Sequence, residues 1–329
     1  MIDYVSMNKI MPIPKRAFKR DRWHREVAGE GDYYWYHFRG VTIRYYFETQ
    51  RLLIMGKLIT LLHDTQVQNF DDIYGGETER FLDEVNACIN DLFVQSVVDV
   101  RDFTVTRIDY CFNVDTPFVK DYLAFLKRAF QLVNTGSKTD FAAKNGLSGS
   151  VYIKNSSEYA KNSRYNYTLN VYDKLDRLHY QQEHGQSIST ADLALAENTL
   201  RIEVQASHNL IKSVCYHFDM EKTFANLFSY PVAVYTIESV LKRVYRMDRT
   251  MDFYTYQEAK TRVKAGSAAA KALYALATNH NISGEKYAYK CKQVAKAGIY
   301  PYCLLRNSDG APMLKNPIAL IYEKDSLYL

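Results

Sequence analysis

A chain of 329 residues and 38.2 kDa, 47% hydrophobic and 24% charged, has the balance of a folded protein with a large core, in one large domain or two. No apolar run approaches the roughly 18 residues of a membrane span, and the opening Met1-Ile-Asp-Tyr-Val-Ser lacks the basic and apolar segments of a signal peptide, so a cytoplasmic protein without membrane contact is expected. Five scattered cysteines fit neither a zinc site nor a disulfide scaffold, and a net charge of +5 is by itself a weak pointer to nucleic acid.

Along the chain, the first feature is Lys15 to Arg25, where Lys15, Arg16, Lys19, Arg20, Arg22 and Arg25 interleave with Phe18 and Trp23. That mixture suits phosphate contact with base stacking, and suits a solvated basic loop equally well. Tyr33 to Phe47 and Leu52 to Leu62 are rich in aromatic and β-branched residues and read as strands, joined by a hairpin connection at Glu48 to Arg51. Glu77 to Val94 has helical spacing, with Phe81, Val85, Ile89 and Phe93 on one stripe. Phe103 to Val114 reads as a strand and Val119 to Val133 as a second helix. Thr135 to Gly149 reads as a loop. Ser150 to Lys154 and Tyr165 to Lys174 then form strands separated by a polar turn, Asp176 to His184 a helix, and Thr199 to Ala206 a strand.

From Asn209 the pattern turns helical: Lys222 to Phe228, Val232 to Arg246, Tyr254 to Lys264, Ala268 to Thr278 and Gly284 to Ala297. The expected fold class is α+β: an antiparallel-rich sheet with helices on one face, followed by a mainly helical C-terminal region. A boundary is placed near Ser207 to Leu210, giving units 1–208 and 209–329.

Side chains alternate along a strand. Arg107, Asp109, Cys111 and Asn113 therefore share one face, as do Asn170, Tyr172 and Lys174, and as do Arg201, Glu203 and Gln205. The intervening residues are mostly apolar. If the three strands share a sheet, its polar face carries Asp109 and Glu203 as hard oxygen ligands, Tyr172 as an oxygen nucleophile, and Lys174, Arg107 and Arg201 as groups for phosphate. Two carboxylates with water suit Mg²⁺ or Mn²⁺. A tyrosine hydroxyl, with a reference pKa of about 10, needs a base, a metal or a positive field to attack phosphorus at neutral pH. Pattern alone does not choose between this reading and a bland one. Tyr172 is one of 28 tyrosines, and Arg107-Asp109 and Arg201-Glu203 also suit ion pairs on an exposed face.

At these residues the sequence resembles the rolling-circle replication initiation proteins of the filamentous-phage gene II type, which are related to staphylococcal-type plasmid initiators. The resemblance is carried, in order, by Met1-Ile-Asp3, Thr106-Arg-Ile-Asp109, Asn170-Val-Tyr-Asp-Lys174 and Leu200-Arg-Ile-Glu203. It implies a metal-dependent nicking and joining endonuclease in residues 1–208, with Tyr172 as nucleophile, Lys174 beside it, and Asp109 and Glu203 as acids for Mg²⁺ or Mn²⁺. The implied product is a 5′-phosphotyrosine with a free 3′-hydroxyl that primes synthesis. Implied partners are origin duplex and single-stranded DNA, a second copy of the chain, and a host helicase.

Two histidines flanking one apolar residue, common among rolling-circle nickases, are absent from the sequence. The metal would then rest on carboxylates or on a remote histidine such as His208, which also reads as a boundary or capping residue. In residues 209–329, Lys286, Lys290, Lys292 and Lys296 are candidates for phosphate contacts along one helix. The alternative reading is a catalytically silent, sequence-specific DNA-binding regulator. A tyrosine recombinase ranks last, since its nucleophile would lie late in the chain among helices.

Overall fold

The computed structural model describes residues 1–28, 31–75, 77–95, 98–133, 150–155, 167–245, 256–278, 284–299 and 314–325. The expected loop Thr135 to Gly149, most of the polar turn after Lys154, Tyr165, and the helix ends placed at Arg246 and Tyr254 lie outside the described residues.

In chain order the elements are β1 (Ile2–Ile10), a 3-10 turn (Lys15–Ala17), β2 (His24–Ala28), β3 (Gly31–Phe38), β4 (Val41–Tyr46), β5 (Arg51–Gly56) and a 3-10 turn (Leu58–Leu61). There follow α1 (Phe70–Tyr74), α2 (Thr78–Asn90), a 3-10 turn (Val100–Asp102), β6 (Thr104–Asp115), α3 (Val119–Val133), β7 (Val151–Asn155), β8 (Tyr167–Asp173), α4 (Lys174–Glu183), α5 (Thr190–Ala196) and β9 (Thr199–Ser207). The rest is helical: α6 (His208–His217), α7 (Phe224–Leu227), α8 (Tyr230–Tyr245), α9 (Tyr256–Arg262), α10 (Ala268–Thr278), α11 (Gly284–Ala295) and α12 (Pro317–Asp325). The fold is α+β, as the sequence pattern implies.

The strands form a nine-stranded antiparallel sheet among the described residues, in the order β2-β3-β4-β5-β1-β6-β9-β8-β7. The first strand of the chain is thus the central one. Neither β1 nor β2 stands out in the sequence as a strand. The segment expected as one strand, Tyr33 to Phe47, is a hairpin. Arg39 and Gly40 both take positive φ (46° and 80°), the conformation that lets a two-residue turn match the twist of its strands. Leu52 to Leu62 is likewise divided, because the chain leaves β5 at Gly56 and curls into the 3-10 turn.

The main helical layer covers the apolar face of the sheet. Ile108, Tyr110, Phe112, Leu169, Val171, Leu200, Ile202 and Val204 are buried in one cluster with residues of α3, α6, α7, α8 and α12. The Tyr110 hydroxyl, at the centre of this layer, donates to the Leu227 carbonyl at 2.9 Å. Val5, Met7, Ile43, Leu52 and Ile54 extend the cluster beneath α2. Each fully buried aliphatic side chain contributes roughly 1.5–3 kcal/mol, so this face holds the sheet in place and leaves the other free for polar groups.

Helix α4 stands at that other face, packed with α5 through a small cluster of Val67, Leu178 and Ala196. Residue 208, the expected boundary, is where β9 passes directly into α6. The helices α6, α7, α8 and α12 share the sheet's core, whereas α9, α10 and α11 gather around their own cluster of Ala272, Leu273, Leu276, Cys291 and Val294.

Candidate active site

The polar faces of β6, β9 and β8 form one surface, since residues directly opposite one another share a face. Asp109 lies opposite Gln205, and Gln205 opposite Thr168; Cys111 lies opposite Glu203, and Glu203 opposite Asn170. Tyr172 lies opposite Arg201. β1 adds to this surface by an irregularity. Ile2 pairs with Tyr110 and Tyr4 with Asp109, so two steps along β1 match one step along β6 and Asp3 is the extra residue. Adjacent residues of a regular strand point to opposite faces; the bulge lets both Asp3 and Tyr4 reach the polar one.

These side chains line an open cavity of about 500 Å³. Its walls include Asp3, Tyr4, Lys57, Arg107, Asp109, Tyr172, Lys174 and Glu203, with Arg177 and Gln181 from α4 on one side. Lys174, expected two places along the strand from Tyr172, is instead the first residue of α4. Asp173 caps that helix, its carboxylate accepting from the Leu175 and Asp176 amides at 3.0 and 3.3 Å. The turn into the helix still delivers Lys174 to the cavity.

The Tyr172 hydroxyl donates to Glu203 Oε2 at 3.3 Å, and Gln205 Nε2 donates to Glu203 Oε1 at 3.2 Å. Burial pushes the Tyr172 phenol well above 10, against the pull of Arg201, so the phenol is neutral in the isolated protein. Burial and the Asp3 charge raise Glu203. Burial also lifts Asp109 to about 7, although Arg107 grips it with two hydrogen bonds, the Nε one at 2.8 Å, and itself lies over the Tyr4 ring. Lys174 is lowered to about 7 by burial and by the neighbouring Arg201 charge. Burial would raise Asp3 as well, but Arg201, Lys57 and Lys174 outweigh it and hold this carboxyl well below its ordinary value.

Arg201 was a candidate for DNA contact. It is fully enclosed, pairing with Asp3 and donating to the Val67 carbonyl, Asn69 Oδ1 and Cys111 Sγ, so no face of its guanidinium is left for phosphate. It is a positioning residue that fixes β1 to β9 beneath Tyr172. The Arg107-Asp109 pair is real, while Arg201 pairs with Asp3 and not with Glu203.

The remaining candidates do not line the cavity. Trp23 and Phe18 are core residues: Phe18 meets Trp23 edge-on, and the indole N–H donates to the Leu92 carbonyl at 2.9 Å. They offer no free surface for a base. Arg16, Arg20 and Arg22 are exposed, Arg22 near Asp91, and Lys19 pairs with Asp91 at 2.9 Å. Lys286 and Lys290 lie one turn apart on α11, Lys286 exposed and Lys290 half-buried. His208 begins α6 with its Nδ1 3.3 Å from Lys222 Nζ, away from the carboxylates.

Two site residues escaped the sequence reading. Asp3 entered it only within the opening Met1-Ile-Asp3, and Lys57 not at all. The single available signal was a charged Asp3 inside the apolar-rich opening run.

Among the described residues no three acids, cysteines or histidines form a ligand cluster. The donor set that is present, Asp109 and Glu203 on neighbouring strands with raised pKa values, suits a hard divalent cation that takes one or two carboxylates and fills its shell with water.

Residues 71–225 match the family model for the N-terminal region of the phage gene II replication-associated protein, and on that match this is a replication-associated protein. More particularly, the match supports a filamentous-phage gene II-type replication protein, and the matched span takes in Asp109, Tyr172, Lys174 and Glu203. No curated protein and no solved structure matches the chain. Among the described residues no helix is long and apolar enough to cross a membrane.

Proposed function

We propose that the protein is a cytoplasmic rolling-circle initiator that nicks and rejoins one DNA strand at an origin, with Tyr172 as nucleophile. One observation carries this reading: within the family-matched segment, Tyr172, Glu203, Asp109 and Lys174 surround one open cavity with a carboxylate hydrogen-bonded to the phenol. Tyr172 Oη forms a bond to the scissile phosphorus and the bond from phosphorus to the 3′ oxygen breaks. The products are a 5′-phosphotyrosine and a 3′-hydroxyl.

The phenolic proton passes to Glu203, its acceptor. Lys174, with a pKa of about 7, is placed to give a proton to the departing 3′ oxygen or to stabilise charge on the phosphoryl group. Rejoining reverses the step. Asp109 and Glu203 are the residues that would hold Mg²⁺ or Mn²⁺, which when bound neutralises phosphate charge and favours the phenolate. Residues 1–208 carry this chemistry, and the basic helices of 209–329 serve duplex contact at the origin. A second copy and a host helicase complete the assembly in this reading.

The test is incubation of wild type and Tyr172→Phe with origin DNA and Mg²⁺ or Mn²⁺, followed by a search for a detergent-resistant protein–DNA adduct. Wild type is expected to form it and the variant not. Binding without nick or adduct would leave the catalytically silent regulator. An adduct surviving the substitution would move the nucleophile to another tyrosine.

A further inference from the structure

The polar face of the sheet does not end at the cavity. Through β1 it continues across β5, β4, β3 and β2, where residues directly opposite one another form rows. One row runs His24, Trp35, Arg44, Leu53, Asn8; another runs Glu26, Tyr33, Tyr46, Arg51, Ile10. A third, His37, Thr42, Met55, Ser6, ends on Arg107 at the cavity wall. None of these side chains belongs to the hydrophobic core, including Tyr33 and Tyr46, which are buried only against each other and their neighbours on this face.

The composition of the face is specific. Arg44 lies over the Tyr33 ring at 5.7 Å and Arg51 over the Tyr46 ring at 5.0 Å, while His24 and Trp35 meet at 4.8 Å. The Nε atoms of Arg44 and Arg51 are enclosed without a hydrogen-bond partner. On β3, β4 and β5 this face carries no carboxylate, Asp32 being opposite Val27 and pairing with Arg25 on the other side. Glu26 stands at the margin, on the edge strand β2.

We infer that this face is a platform for single-stranded DNA that leads the strand to the cavity. The inference rests on the nicking reading for the strand's destination. Arginines with no acid on their own strands complement phosphate, and rings on an open sheet stack on unpaired bases, whose faces a duplex would hide. Continuity with the cavity through Ser6 and Arg107 gives the strand its path. Six strand spacings of ~4.8 Å separate β3 from β8, so Trp35 stands roughly 29 Å from Tyr172 and the bound strand spans several nucleotides.

The chain has two tryptophans, and Trp23 is sealed in the core, so Trp35 reports on this face alone. Full-length Tyr172→Phe, which retains the platform and is not expected to react, is titrated with oligodeoxythymidine of about 16 nucleotides. Tryptophan fluorescence should be quenched. In the same background Trp35→Ala should weaken binding about fivefold or more, Trp35→Phe should bind close to the parent, and Arg44→Gln with Arg51→Gln should lower both affinity and its salt dependence. Far-UV circular dichroism confirms that each variant is folded.

Undiminished affinity in the alanine and glutamine variants, absence of quenching, or equal loss in Trp35→Ala and Trp35→Phe would overturn the platform. If wild type also forms the covalent adduct in those cases, the nicking reading stands without it. Quenching and variant effects as expected, with no adduct from wild type, would sustain the platform and sink the nicking reading.

Discussion

Lys174 offers the sharpest physical test of the site, because its burial has a consequence that does not depend on DNA. Its ammonium has a pKa of about 7 in the folded protein against 10.5 in its ordinary state, lowered by burial and by Arg201. That bias is worth at most about 4–5 kcal/mol against the folded state wherever the lysine must carry its proton. Below pH 7 the side chain is charged whether folded or unfolded, and the penalty is complete. Between pH 7 and 10.5 the unfolded chain holds the proton and the folded chain does not, so stability rises with pH.

Lys174→Met replaces the group by an apolar chain of similar length and removes the penalty. Urea unfolding should show the variant more stable than wild type at pH 7. The gap should narrow by about 1–2 kcal/mol on going to pH 8.5, as wild type sheds the burden. A gap that stays constant between the two pH values, or widens, would refute the claim that Lys174 is buried as a strained cation.

Other outcomes follow from the same geometry. Arg201→Met strands Asp3 at the bulge and removes the clamp between β1 and β9; unfolding should show a loss of ~3–5 kcal/mol, and a loss below about 1 kcal/mol would contradict a buried pair. Gly56→Ala places a Cβ 2.7 Å from the Gly40 carbonyl oxygen and the Val41 Cα, at a φ of 144°. Its thermal midpoint should fall, with a cost of at least about 1 kcal/mol. Asp109→Ala or Glu203→Ala should abolish metal-dependent cleavage while DNA binding, read by anisotropy, is largely kept; unchanged cleavage would remove their proposed metal role.

Local order along the chain was readable. Helices α2, α3 and α10 and strands β6 and β9 follow from apolar spacing, and the alternation in β6, β8 and β9 correctly placed Asp109, Tyr172 and Glu203 on one face. Lys174 on a helix was within reach, since Asp173 with Asp176 three residues on is a capping signal. Trp23 was misread because a basic neighbourhood says nothing about which way a ring turns. Its burial depends on Phe93 and Leu92, some 70 positions away.

The sequence determined the three polar strand faces, because a period of two is written locally in residue type. Only the tertiary structure decided that β1 lies in the middle of the sheet, that a bulge turns Asp3 toward Arg201, and that this pair lies beneath the tyrosine. Partners 198 residues apart leave no periodic trace in a single sequence. Their meeting is fixed by which strand edges pair, and that is settled by the packing of the whole apolar face.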